Sequence, residues 1–142
     1  MTKINFYTGV DDKLRAACLL CHKAMQSGQR VLLHTPDKTI AETINKLLWQ
    51  YPVTAFMPHC HNNNTTASEI PIVIDHHGEN FPHHEVLISL HTECLPFFSR
   101  FERVFEIVSQ DTEDIRLGRE RFSYYRDRGY EMHHTKLDKH TD

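Results

Sequence analysis

Between Lys13 and Gln26 the apolar positions Leu14, Ala17, Cys18, Cys21 and Met25 recur three and four residues apart, which predicts an amphipathic helix. Asp11 or Asp12 can cap its start, and Gly28 falls just past its end. Ahead of it, Ile4-Asn5-Phe6-Tyr7 reads as a short strand closed by Thr8-Gly9; behind it, Val31-Leu32-Leu33-His34 reads as a buried strand. Thr35-Pro36-Asp37 breaks that strand, and Asp37 is a good N-cap for a second helix over Lys38 to Gln50. The apolar side of this helix is Ile40, Ile44, Leu47 and Leu48, and it stops before Pro52 because the residue preceding a proline disfavours helix. Ala55-Phe56-Met57 reads as a short extended piece, and His59 to Ser68 as a polar, mobile loop. Ile70 to Ile74 is a β-branched strand, Asp75 to His84 a second polar loop, and Val86 to Leu90 another strand. A helical turn around Pro96 to Phe101, a strand over Arg103 to Val108 and a helix beginning at Asp111 complete the order.

Strands that alternate with helices imply βαβ units, hence an α/β domain on a mostly parallel sheet. Such sheets present ligands at the carboxyl ends of their strands. From His133 onward the chain is polar and expected to fray. The expected organisation is therefore a single domain over residues 1–132 and a disordered tail, 133–142.

The 142 residues carry a net charge of −3 with histidine neutral, which argues against a domain that coats nucleic acid without sequence preference. Four cysteines, Cys18, Cys21, Cys60 and Cys94, follow no secretory signal, so reduced thiols and a cytoplasmic location are expected. No apolar run approaches the length that spans a bilayer, so no membrane partner is expected.

Four motifs invite chemistry. The turn after the first strand, Thr8-Gly9-Val10-Asp11-Asp12-Lys13, has one glycine and two acids where a phosphate cradle needs several glycines and no acid. Cys18-Leu19-Leu20-Cys21-His22 matches the haem-attachment spacing, yet both cysteines fill apolar helix positions, where the thiol acts as a small hydrophobe. The pairs among the 12 histidines, such as His76-His77, His83-His84 and His133-His134, are adjacent rather than spaced as zinc ligands are, so no metal and no cofactor is expected. Asp75-His76-His77, at a strand end, resembles one motif of the DHH phosphoesterases. That supplies the alternative function, a metal-dependent phosphoesterase, although the family's Asp-x-Asp motifs are missing and several more carboxylates are needed.

The last helix is the most informative stretch. Gly118-Arg119-Glu120-Arg121-Phe122-Ser123-Tyr124-Tyr125-Arg126 reads as an exposed helix that mixes arginines with aromatics. At about 100° per residue, Ile115, Arg119, Phe122 and Arg126 share one side, and Leu117, Arg121 and Tyr124 fall roughly opposite. A face both basic and apolar suits an acidic ligand with a hydrophobic end. Arg119 and Arg126 would take its carboxylates, and Ile115, Phe122 or Val108 would line a pocket for its apolar end. Trp49, at the end of the second helix, and Phe56 are aromatics beside loops, of the kind enriched at protein interfaces.

Over roughly residues 4 to 130 the chain resembles the chi subunit of the bacterial DNA polymerase III clamp-loader assembly, the HolC family. The resemblance rests on Asn5-Phe6-Tyr7, Ser27-Gly28-Gln29-Arg30-Val31-Leu32, Leu48-Trp49 before Pro52, Ala55-Phe56-Met57-Pro58-His59, Val86 to Leu90, and Gly118 to Phe122 through Tyr125-Arg126. It implies a Rossmann-like, three-layer α/β domain with no phosphate-binding loop. It implies a non-catalytic adaptor in replication, acting at the fork. One partner would be psi, which links chi to the clamp loader. The other would be the C-terminal tail of single-stranded DNA-binding protein, an acidic peptide ending in phenylalanine. The family's tail-binding positions fall on Arg119, Phe122 and Arg126, and its psi-binding aromatics on Trp49 and Phe56. A helicase of the XPD type shares the psi surface in some members. Where the best-known member has a tail-binding lysine this chain has Ile115, and a second basic position falls on Ser123; Arg116 is the residue expected to compensate.

Overall fold

The computed structural model describes residues 2–50, 58–61, 70–76 and 81–137. Among these residues seven strands form one sheet, with every pairing parallel: β1 (Lys3–Val10), β2 (Val31–His34), β3 (His59–His61), β4 (Ile72–Asp75), β5 (Val86–Ser89), β6 (Arg103–Ser109) and β7 (Glu131–Lys136). Their order across the sheet is β3-β4-β2-β5-β6-β1-β7. Helices α1 (Lys13–Gln26), α2 (Lys38–Gln50) and α3 (Thr112–Asp127) follow β1, β2 and β6, and a 3₁₀ turn spans Phe98–Arg100.

The central strands β2, β4 and β5 read as mostly apolar runs because both faces of the sheet are covered there. Val31, Leu33, Ile72, Ile74, Val86 and Ile88 pack with α1 and α2, while Leu32, Val73, Leu87, Ile4, Phe6 and Val104 pack with α3 and the 3₁₀ turn. The period-2 alternation of side chains puts successive residues of one strand into different cores. This is the three-layer α/β arrangement expected from the sequence.

Both early helices run as their patterns predict. Asp12 Oδ1 accepts hydrogen bonds from the backbone N–H groups of Leu14 (3.0 Å) and Arg15 (3.3 Å). Asp37 Oδ1 accepts from Ile40 N–H at 2.9 Å, confirming it as the cap of α2. Cys18 and Cys21 are buried in the α1 core. Burial, reinforced by the charge of Asp12, pushes the Cys18 thiol up to about 12, and burial raises Cys21 as well. Both stay protonated, as core hydrophobes do.

Two expectations are corrected. His59–His61, read as the start of a loop, is a strand at one edge of the sheet, paired with Ile72–Ile74 of β4. His133–Lys136, read as disordered, belongs to β7 at the other edge, in register with β1 from Lys3↔Glu131 to Thr8↔Lys136. Backbone hydrogen bonds to β1 hold these polar residues, Met132 and buried Leu137 anchor them, and Leu137 N–H donates to Thr8 C=O at 2.8 Å. An edge strand can be stable without apolar alternation, so the pattern of the chain did not disclose it.

Candidate functional site

Helix α3 lies over β6 and β1, and four devices fix its position. Asp111 caps it, with Oδ2 accepting from Asp114 N–H at 3.1 Å. The Asp114 carboxylate accepts from Ser109 N–H (2.7 Å) and from Lys13 Nζ (3.3 Å), tying the helix start to β6 and α1. Burial acts to raise Asp114, but the Ser109 N–H and the Lys13 charge outweigh it and hold the carboxyl below its ordinary range. At mid-helix, Gly118 sits so close to β6 that a Cβ there would lie 2.7 Å from Val108 Cγ2.

The fourth device is a buried charge network. Arg121 is 2% exposed, and its Nε donates to Glu106 Oε1 at 3.0 Å. Its other nitrogens reach the carbonyls of Thr92 (3.0 Å) and Ile107 (3.5 Å). Tyr125 donates its hydroxyl to Glu106 Oε2 at 2.6 Å. Burial pushes Glu106 up, and Arg121 and Tyr125 pull the other way. Arg121 is thus not on an exposed face opposite Arg119, as helix geometry alone suggested; it lies in the buried stripe Asp114, Gly118, Arg121, Tyr125. Sequence reasoning missed Glu106, whose signal was a single acid inside the apolar strand Val104-Phe105-Glu106-Ile107-Val108.

The fixed helix turns the predicted face toward the β7 edge of the sheet. Phe122 is half-buried, edge-to-face against Phe6 of β1 with ring centroids 5.3 Å apart. Ile115 is half-buried beside the same core. Arg119 and Arg126 project outside them and are exposed. Arg126 lies 3.3 Å from Asp127, whereas Arg119 makes no hydrogen bond or ion pair among the described residues. The structure therefore brings Ile115, Arg119, Phe122 and Arg126 together.

Two other residues do not join them. Arg116 is bracketed by Glu113 and by Glu120 (3.1 Å), so its charge is matched within the helix. Val108 lies beneath Gly118, too covered to line a pocket. Tyr124, on the far flank, is exposed and carries the Arg128 guanidinium 3.5 Å above its ring.

On the opposite face of the sheet, Trp49 is 59% exposed at the end of α2, with its ring 5.1 Å from that of His59. Phe56 lies outside the described residues, as does His77. Asp75 is the buried last residue of β4, and its Oδ1 accepts from His76 N–H at 2.8 Å. Among the described residues no three His, Cys, Asp or Glu side chains gather in a way that would hold a metal, so the phosphoesterase alternative finds no support there. Nor is any described helix long and apolar enough to cross a membrane.

Comparison with known proteins gives a consistent family. The sequence profile described as "DNA polymerase III chi subunit, HolC" matches residues 1–133. A protein of Pseudomonas aeruginosa named DNA polymerase III subunit chi is 28% identical over 143 residues, covering 98% of this chain and 99% of that protein. Proteins of the same name from Escherichia coli and Haemophilus influenzae are 28% and 29% identical, covering 81% and 82% of this chain and 79% and 81% of theirs. Among solved structures, Saccharomyces cerevisiae Dbp5 bound to RNA and ADP-BeF3 superposes with a TM-score of 0.65 at 11% identity, over 94% of this chain. The C-terminal part of the Fun30 ATPase domain gives 0.54, also at 11% identity, over 75% of it. The chain spans less than half of either structure, and at that identity the likeness is one of fold alone.

Proposed function

The chain belongs to the DNA polymerase III chi subunit family of replication accessory subunits, and from that membership we propose that it is a non-catalytic adaptor at the bacterial replication fork. It joins the clamp loader, through psi, to the C-terminal tail of single-stranded DNA-binding protein. One observation carries the tail-binding reading: Arg119 stands exposed and, among the described residues, without a hydrogen-bond or ion-pair partner, beside half-buried Phe122 and Ile115. A guanidinium free to form a bidentate pair with a carboxylate, next to apolar surface, fits an acidic peptide that ends in phenylalanine. Exposed ion pairs contribute only about 0–1 kcal/mol each, so burial of the terminal phenylalanine supplies much of the affinity. The expected Kd is in the micromolar range, about −8 kcal/mol, and it weakens as salt rises.

Psi, and with it a helicase of the XPD type, would use the opposite side of the sheet at Trp49, with Phe56 nearby in sequence. The 59% exposure of Trp49 supports this reading, because large exposed aromatics are enriched at interface hot spots. The test of the tail site is Arg119→Glu. Binding of a labelled tail peptide should weaken at least about tenfold, 1.4 kcal/mol or more, while the circular dichroism spectrum stays unchanged. Unaltered affinity would place the tail on another surface.

A further inference from the structure

We propose that the far flank of α3 binds single-stranded nucleic acid, with a base stacked on the Arg128 guanidinium where it lies over Tyr124. This surface is separate from Ile115, Arg119, Phe122 and Arg126, and the proposal goes beyond the tail-binding reading. Tyr124 and Arg128 are four residues apart at the end of α3, so they share a face. The Arg128 guanidinium carbon lies 3.5 Å from the centre of the Tyr124 ring. Its Nη1 donates to the Tyr124 carbonyl at 3.1 Å, which fixes the plate. Beneath it, Tyr124 meets the buried ring of Phe98 edge-to-face, with centroids 6.2 Å apart. Phe98 packs in the same way on Tyr130, at 5.1 Å. The stack is thus held from the core outward before any ligand arrives.

What Arg128 leaves open decides the chemistry of the occupant. One face of its guanidinium is covered by Tyr124, and part of its edge is used on the carbonyl. Both residues are exposed, so the outer face of the guanidinium meets solvent. A carboxylate prefers the in-plane edge of a guanidinium, whereas a flat nucleobase stacks on its face. The remaining N–H groups of the edge can then meet a phosphate of the same strand. Charge agrees with such an occupant. The acids three and four residues from Tyr124 are engaged, Asp127 against Arg126 at 3.3 Å and Glu120 with Arg116 at 3.1 Å. Arg128 makes no ion pair among the described residues. The net charge of −3 argues against coating of nucleic acid, so the binding is local, weak and tolerant of sequence, as on other stacking platforms.

The test is fluorescence anisotropy of a labelled oligothymidylate of about twelve nucleotides, titrated with the full chain at low salt, beside an abasic strand of the same length. The oligothymidylate should bind with a Kd of about 100 μM, and the abasic strand about tenfold more weakly. Arg128→Ala should weaken oligothymidylate binding about tenfold. Arg128→Lys keeps the charge and loses the plane, and should still weaken binding about threefold. Lys23→Ala removes the same charge from α1, on the opposite face of the sheet, and should stay within about twofold of wild type. Both positions are exposed, so the circular dichroism spectra should be unchanged. Equal binding of the two strands, or Arg128→Lys indistinguishable from wild type, would leave charge alone at work and overturn the stack. Equal losses in Arg128→Ala and Lys23→Ala would overturn it too. No binding of the oligothymidylate by wild type would overturn the proposal and leave the tail-binding reading standing, since that reading concerns another ligand and the other flank of α3.

Discussion

Arg119 and Arg121 are two residues apart in the sequence and have opposite fates. Arg121 is enclosed, with its charge matched by Glu106 and its remaining nitrogens on backbone carbonyls; Arg119 is outside and, among the described residues, unmatched. Removing one member of a buried pair leaves the other charge without compensation, which costs about 3–5 kcal/mol. Arg121→Ala should therefore lower stability by roughly that amount in chemical denaturation, whereas Arg119→Ala should stay within about 0.5 kcal/mol of wild type. A similar small effect for both would mean that Glu106 is neutral in the folded protein and needs no guanidinium. The basic and apolar character of this stretch was legible from residue types. Which arginine faced inward was not, because a 100° step gives relative angles only; the absolute rotation is set by Gly118 against Val108 and by Glu106 on a different element.

α3 is docked through a glycine, and that contact has a direct consequence. In an exposed helix interior Gly→Ala gains about 1 kcal/mol. Here the new methyl would meet Val108 Cγ2 at 2.7 Å, and overpacking of this kind costs about 1–3 kcal/mol. Gly118→Ala should thus be destabilising on balance, seen as a lower thermal midpoint, and a rise in Tm would show that α3 is free to lift from β6. α1 and α2 were readable to their ends because an apolar stripe, a capping aspartate and a terminating signal all agree. β7 was not, because its stability comes from hydrogen bonds to a strand more than a hundred residues away in sequence. β3 was missed for a different reason: its partner β4 is near in sequence, but three residues of alternating His and Cys carry no strand signal of their own.

For the whole molecule, the parallel sheet separates two surfaces. Arg119 and Phe122 lie on the α3 side and Trp49 on the α1–α2 side, so the two proposed partners would dock on opposite faces. Trp49→Ala should weaken co-purification with psi while leaving tail-peptide affinity unchanged. Loss of both would indicate a damaged fold rather than two surfaces. The α/β class, the parallel sheet and the basic and apolar face of α3 were all visible in the chain, whereas the place of β7 beside β1 required the register of the two strands. The most direct measurement is fluorescence anisotropy of a labelled tail peptide of single-stranded DNA-binding protein, with and without its terminal phenylalanine, at two salt concentrations. The adaptor account predicts micromolar binding that requires the phenylalanine and weakens with salt. Binding indifferent to both, or none at all, would contradict it.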